Sequence, residues 1–340
     1  MANPLESRRV VIAGASSLLG AELKLLLEES RFAASDFRLV DEETVAGILT
    51  EAGGEAAIIQ PVEEDSFNKA WIVFFTGSPA FSKRNFDLAR KSRAHIVDLS
   101  GEFPGHAEAQ TWLPKFDILA GTPFNTDAFN KDAGIFAVPS APAEIIARIT
   151  IALRHWKLSS LTAVAFQPVS SSAGKAGIEE LESQTGQLLS FQSLGKQVFA
   201  TQAAFTMLDR FGSASRHNLQ SWLDILRREV RSCLPSDATI PAMQLLHAPV
   251  YYGTTVAACA QIAASADAAA LAKRCESCGF TITAEDAAPD NVSSAGETSL
   301  QLAPPRLDPS SPGAWWFWAA ADNLRLPAAN AVKLAEKLLQ

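Results

Sequence analysis

The stretch Ile135-Phe136-Ala137-Val138-Pro139-Ser140-Ala141-Pro142 has the form of a buried strand running into a helix start. A cysteine at such a start is acidified by unpaired N–H groups and the helix macrodipole, which makes it a strong nucleophile. Ala141 occupies that position, and its methyl group offers no nucleophile. Ser140 is the neighbouring hydroxyl, but no base adjoins it in sequence. Its placement fits an N-cap, with Pro142 at the first helical position and Ile145, Ile146 and Ile149 following at helical spacing. Cys275 and Cys278 form a single C-x-x-C at a helix end. Without a second pair or a nearby histidine, this motif predicts neither a metal site nor a redox centre.

A second candidate lies near the N-terminus. Arg9-Val10-Val11-Ile12-Ala13 reads as a buried strand, Gly14 to Gly20 as a tight loop, and Leu18, Leu19, Leu23, Leu26 and Leu27 as an amphipathic helix. A strand, glycine loop and helix in that order cradle a pyrophosphate. The loop G-A-S-S-L-L-G keeps its outer glycines, but its middle position is Ser17, where close approach to phosphate favours glycine. Asp41 ends the next strand. A carboxylate there either grips a ribose 2′-hydroxyl, favouring NAD over NADP, or opens a solvated acidic turn with Glu42 and Glu43.

The elements that must position these groups follow a βα rhythm. Strands are expected at 37–40, 57–61, 71–75, 95–97, 117–120 and 135–138, with a helix at 80–92, as in a doubly wound parallel sheet. From Ser140 on the pattern changes: a strand at 161–169, a helix at 177–190, apolar structure at 198–208 and 222–230, and two strands within 242–262 joined at Tyr251-Tyr252-Gly253. The final strand, 315–319, carries three tryptophans and suits a sheet packed on helices or on a second subunit. The proline-rich stretch 304–312 reads as a surface connection, and 326–340 as a helix returning to the first domain.

Composition sets bounds on the whole. A chain of 340 residues, 48% hydrophobic, exceeds one ordinary core and predicts two domains. A net charge of −8 and no Lys/Arg run argue against nucleic acid or anionic membrane as partners. No apolar stretch approaches a membrane span, and residues 1–9 contain no apolar region, which favours a cytoplasmic address. Four cysteines do not make a disulfide framework in a chain of this length.

Several segments in fixed order resemble the aspartate-semialdehyde dehydrogenase family. They are G-A-S-S-L-L-G at 14–20, F-F-T-G-S at 74–78, I-V-D-L-S at 96–100 and A-V-P-S-A at 137–141. F-Q-P-V-S and A-G-K-A-G-I-E-E-L follow within 166–181, A-P-V-Y-Y-G at 248–253, and D-N-L-R and A-A-N-A-V within 322–332. The resemblance implies an α/β fold: a Rossmann-like doubly wound domain, 1–139 completed by 322–340, and an inserted α+β domain, 140–321, for dimerisation and substrate. It implies NAD(P) held by Gly14, Ser16, Ser17, Leu18, Gly20, Asp41, Thr76, Gly77 and Asn330, no metal, and a homodimer through the second domain.

The family's chemistry does not carry over with the fold. At its matching positions the nucleophilic cysteine is Ala141, the acid/base histidine is Thr254, the carboxylate-clamping arginine is His247 and the phosphate-binding arginine is Pro104. Gln167, matching a substrate-orienting glutamine, is retained, and S-S-S-A-G after Val169 carries an extra serine. Loss of groups that act as a unit is not rescued by one survivor. The chain therefore resembles the Usg-type, dehydrogenase-like branch that lacks the catalytic cysteine. Two functions follow: a non-catalytic dimer that retains nucleotide binding, or an NAD(H)-dependent oxidoreductase with altered chemistry or substrate. The second needs a convergent set of titratable groups, for which His247, Gln167 and Thr254 are the candidates.

Overall fold

A computed structural model describes residues 8–115, 133–263 and 265–339. The chain divides into two compact units, Met1–Ser140 with Pro327–Gln340, and Ala141–Leu326. The strand expected at 117–120 lies outside the described residues.

In the first unit, β1 (Arg9–Ala13) leads through the glycine loop into α1 (Leu18–Glu28), then β2 (Asp36–Asp41). A hairpin, β3 (Leu49–Ala52) and β4 (Glu55–Ile58), precedes β5 (Gln60–Pro61), β6 (Ala70–Phe75), α2 (Pro79–Lys91), β7 (His95–Asp98), β8 (Ala109–Thr111) and β9 (Ile135–Ala137). The described strands pair in the order β5-β2-β1-β6-β7-β9-β8, every pairing parallel. Both faces are covered, which explains unbroken apolar runs such as Ala70–Phe75. Val10, Ile12, Phe74 and Val97 point to one face, against Leu23 and Leu27 of α1 and Ala328, Ala331 and Leu334 near the C-terminus. Val11, Ala13, Val73 and Phe75 point to the other, against Phe81, Phe86 and Ala89 of α2.

The expected strand at 57–61 is divided. Gly53 and Gly54, both at positive φ (62° and 79°), turn the chain so that Leu49 pairs with Ile58 in a separate two-stranded sheet. Only Gln60 and Pro61 join the parallel sheet, beside Val40 and Asp41.

The second unit opens with α3 (Ala141–Leu153), so Ala141 is the first helical residue and Pro142 the second, one place later than the sequence suggests. There follow β10 (Leu158–Gln167), α4 (Val169–Leu189), α5 (Leu219–Cys233), β11 (Ala242–His247), β12 (Thr254–Ile262), α6 (Ala268–Ser277), β13 (Phe280–Ile282), β14 (Leu300–Leu302), β15 (Arg306–Leu307) and β16 (Ala314–Ala321). The last helix, α7 (Arg325–Leu338), carries the chain back into the first unit. The helix expected from Gly177 begins at Val169, with a break at Gly174 (φ 58°, ψ −141°). The segment expected as apolar structure at 198–208 is irregular and pairs with β11 by an isolated β-bridge, Leu208 to His247.

The mixed sheet runs β11-β10-β12-β16-β14-β13, with β15 added to β16. Strand β12 alternates strictly between buried and half-buried residues, the sign of a sheet with one covered face. Helices α3, α5 and α6 pack against this sheet and against one another. On the opposite face Phe166, Ala257 and Cys259 are half-buried, and Trp316 is 44% exposed. No described helix is long and apolar enough to cross a membrane.

Candidate functional site

The glycine loop is fixed by its own contacts. Gly14 has φ +94°, and a Cβ there would lie 2.2 Å from the Gly77 nitrogen, so the two glycines let the loops after β1 and β6 touch backbone to backbone. Gly20 lies under the same crossing, where an added Cβ would meet the Gly14 carbonyl at 2.6 Å and Thr76 Oγ1 at 2.9 Å. Thr76 ties the crossing together, its N donating to the Ala13 carbonyl at 2.8 Å and its hydroxyl to the Gly14 carbonyl at 3.0 Å.

Ser17 reads differently in three dimensions. Its Oγ accepts from Gly20 N at 2.9 Å, capping α1, and donates to the Thr76 carbonyl at 2.9 Å. The side chain is drawn into the fold as a helix cap, an interaction worth about 1 kcal/mol. Asp41 is similarly engaged: one carboxylate oxygen accepts from Ser16 N and the other from Glu42 N, each at 2.8 Å. It is buried, and these two bonds make Asp41 the residue that pins the loop to the end of β2. Gly14, Ser16, Ser17, Gly20, Asp41 and Thr76 are thus one hydrogen-bonded assembly at the carboxyl edge of the sheet, with Gly77 packed against it. Leu18 contributes the first residue of α1, and Asn330 is a buried residue of α7 between the core alanines 328 and 331.

Asp98 ends β7 on the same edge. Its carboxylate accepts from Ser100 N and Phe103 N, both at 3.0 Å, and from the Ser100 hydroxyl at 2.5 Å. Burial pushes its pKa up against these donors. The sequence marked I-V-D-L-S only as part of a pattern; the turn this carboxylate organises accounts for the aspartate.

In the second unit, Ala141 is buried at the start of α3. Gln167 and His247 end neighbouring parallel strands and are register partners. His247 is fully buried, its ring centroid 5.8 Å from Phe199 and 5.5 Å from Phe211, and its Nε2 donates to the Ala203 carbonyl at 3.2 Å. Burial lowers its pKa, which favours a neutral ring in place of a cation able to clamp a carboxylate. Thr254 donates its hydroxyl to the Phe166 carbonyl at 3.1 Å, and is thereby a strand-fastening residue.

A residue outside the expected set connects these elements. Asn323 accepts from Gly253 N at 2.7 Å and donates to the hydroxyls of Ser170 and Ser171 at 3.0 and 2.8 Å. It joins the turn before Thr254 to the serine-rich start of α4, including the region that carries the extra serine. Its one sequence signal is membership in D-N-L-R, which says nothing about what it bonds.

The assembly is that of a two-unit protein with a Rossmann-type nucleotide-binding sheet and a second, mixed-sheet unit. Residues 9–118 match the semialdehyde dehydrogenase NAD-binding domain, and residues 151–326 match the semialdehyde dehydrogenase dimerisation domain. The chain belongs to the semialdehyde dehydrogenase family. It is 26% identical to a USG-1 protein homolog of Azotobacter vinelandii over 97% of each chain, and 22% identical to an aspartate-semialdehyde dehydrogenase of Rickettsia bellii, again over 97% of each. The crystal structure of aspartate semialdehyde dehydrogenase II from Vibrio cholerae superposes with a TM-score of 0.84 at 23% identity, covering 97% of this chain and 98% of that one.

Proposed function

We propose that this chain is a dinucleotide-binding homodimer that has given up acyl-enzyme chemistry. The observation that carries the reading is Ala141: a methyl group, buried at the first residue of α3, where the family fold expects a thiolate. The groups around the family's chemistry are also absent or diverted, since Thr254 fastens a strand and His247 is buried among phenylalanines. With nucleophile and proton carrier both missing, no single remaining group supplies the lost transition-state stabilisation.

The glycine crossing supports retained dinucleotide binding. The Gly14–Gly77 contact leaves no room for a Cβ, and Asp41 pins Ser16 N, so the loop keeps the tight strand-to-helix turn that a pyrophosphate site requires. Gly14, Ser16, Ser17, Leu18, Gly20, Thr76, Gly77 and Asn330 are the residues that would hold it, and a bound nicotinamide would supply a hydride acceptor. Asp41 at the end of β2 favours the 2′-hydroxyl of NAD and disfavours the 2′-phosphate of NADP. The open face of the mixed sheet, with Phe166, Cys259 and Trp316, is the surface through which two copies would pair.

Calorimetric titration with NAD, NADH, NADP and NADPH tests the reading, together with an assay for phosphate-dependent NADH or NADPH formation from aspartate semialdehyde. The expected result is micromolar binding of NAD or NADH, about −8 kcal/mol, with no turnover above the uncatalysed rate. Turnover, or absence of binding at millimolar concentration, refutes it.

A further inference from the structure

Helix α4 holds an irregular segment through buried polar side chains. Glu180 accepts from Val198 N at 2.6 Å and Phe199 N at 3.0 Å. Gln184 accepts from Ala203 N and Ala204 N at 2.8 and 3.1 Å, and donates to the carbonyls of Gly195 and Thr201 at 2.8 and 3.1 Å. The segment also closes on itself: Gly212 N donates to the Phe199 carbonyl at 3.0 Å and the Ser215 hydroxyl to the Val198 carbonyl at 2.8 Å.

His247 is where this segment meets the sheet. Leu208 and His247 exchange backbone hydrogen bonds at 2.8 and 3.3 Å, and the imidazole reaches Ala203. A carbonyl only accepts, so Nε2 carries the ring proton and Nδ1 is the bare nitrogen. Nδ1 is buried without a partner. A second proton must land there, creating a buried positive charge and an N–H with no acceptor, which the closed arrangement cannot satisfy.

Among the described residues, burial and the Ala203 carbonyl act on the ring, and no charged group does. Phe199, Phe211 and the Ala203 carbonyl face the ring from the segment, and the β10 register partner is the neutral Gln167. Among the described residues, Glu180 is the charged group acting on the second histidine of the cluster, His217, whose ring lies 6.4 Å from Phe199. Its carboxylate is committed to the Val198 and Phe199 amides.

We propose that residues 195–217 form a strap released by acid, with His247 as the sensor. Opening lets water reach Nδ1, so protonation and release are linked. Two apolar side chains, Phe205 and Met207, 65% and 53% exposed, ride on the strap and change position when it opens.

Hydrogen exchange on the full chain at pH 7.5 and 5.5, corrected for the intrinsic rate, tests this. An exposed histidine titrates near 6.5, so one proton taken up on opening raises the open population by up to about tenfold over that interval. The expected result is a loss of protection of that order at Val198, Phe199, Ala203 and Ala204, with β12 unchanged. His247→Gln keeps a neutral N–H donor and should make strap protection independent of pH; His247→Phe serves if that variant does not fold. Protection that is constant with pH in the parent chain, or a pH response that survives in the His247 variant or disappears in His217→Gln alone, overturns the proposal.

Discussion

Replacing Gly14 by alanine should destabilise the first unit by a margin that a matched control can isolate. The residue sits at φ +94°, and its Cβ would lie 2.2 Å from Gly77 N, 2.5 Å from Gly77 Cα and 2.9 Å from the Thr76 carbonyl carbon. All three atoms are backbone, so no flexible side chain can swing aside. The left-handed backbone alone costs about 1–2 kcal/mol for a residue with a Cβ, and forcing atoms into a packed contact adds about 1–3 kcal/mol. The sum, about 2–5 kcal/mol, is a large part of the stability of an ordinary domain. Gly47 is the control: its φ is +87° and an added Cβ meets nothing within 4 Å, so Gly47→Ala carries the backbone penalty alone. Urea unfolding of both variants should place Gly14→Ala below Gly47→Ala by about 1–3 kcal/mol, with NAD binding lost in the former only. Equal losses would show that the crossing yields freely, and would remove the packing argument for the cradle.

Arg148→Met should cost about 3–5 kcal/mol, because Arg148 Nη2 lies 2.6 Å from Glu144 with both side chains at most 4% exposed. The double variant Glu144→Leu/Arg148→Met should recover most of that loss in urea unfolding, and an equally unstable double variant would contradict the ion-pair account. His95, His217 and His247 all have pKa values lowered mainly by burial. Each therefore stabilises the fold above the ordinary value near 6.5 and withdraws that contribution as pH falls, so Tm should drop between pH 7.5 and 5.5; a flat or rising Tm contradicts the sign. Trp316→Asp on the open sheet face should convert dimer to monomer in sedimentation velocity while leaving NAD binding in place, and an unchanged dimer would move the interface elsewhere.

The parallel sheet was legible because its strands are covered on both faces and read as apolar runs between helical patterns. The hairpin at 49–58 carries a signal, Gly53-Gly54 between short runs, but Ala57 to Pro61 reads as one strand because the chain crosses from one sheet to another within it. In sequence Ser17 weakens the nucleotide loop because sequence gives the residue and not the direction of its side chain, which here caps α1. The strap at 195–217 left no periodic trace. It is held by Glu180 and Gln184, polar residues that on a helix ordinarily face solvent, bonding to backbone far along the chain. The lowered pKa of His247 likewise comes from burial, to which Phe199 and Phe211 contribute, and no local pattern brings these rings to it.

The self-satisfied glycine loop has a kinetic consequence. Ser16, Ser17 and Gly20 amides already have partners in Asp41, the Gly14 carbonyl and the Ser17 hydroxyl, so the loop does not depend on a ligand for its shape. A nucleotide arriving there meets a formed surface and has no disordered segment to organise. Association should then follow a single exponential whose rate rises linearly with concentration, without the plateau of a preceding conformational step. Its heat-capacity change should be the modest one of surface burial, without the larger change that accompanies coupled folding.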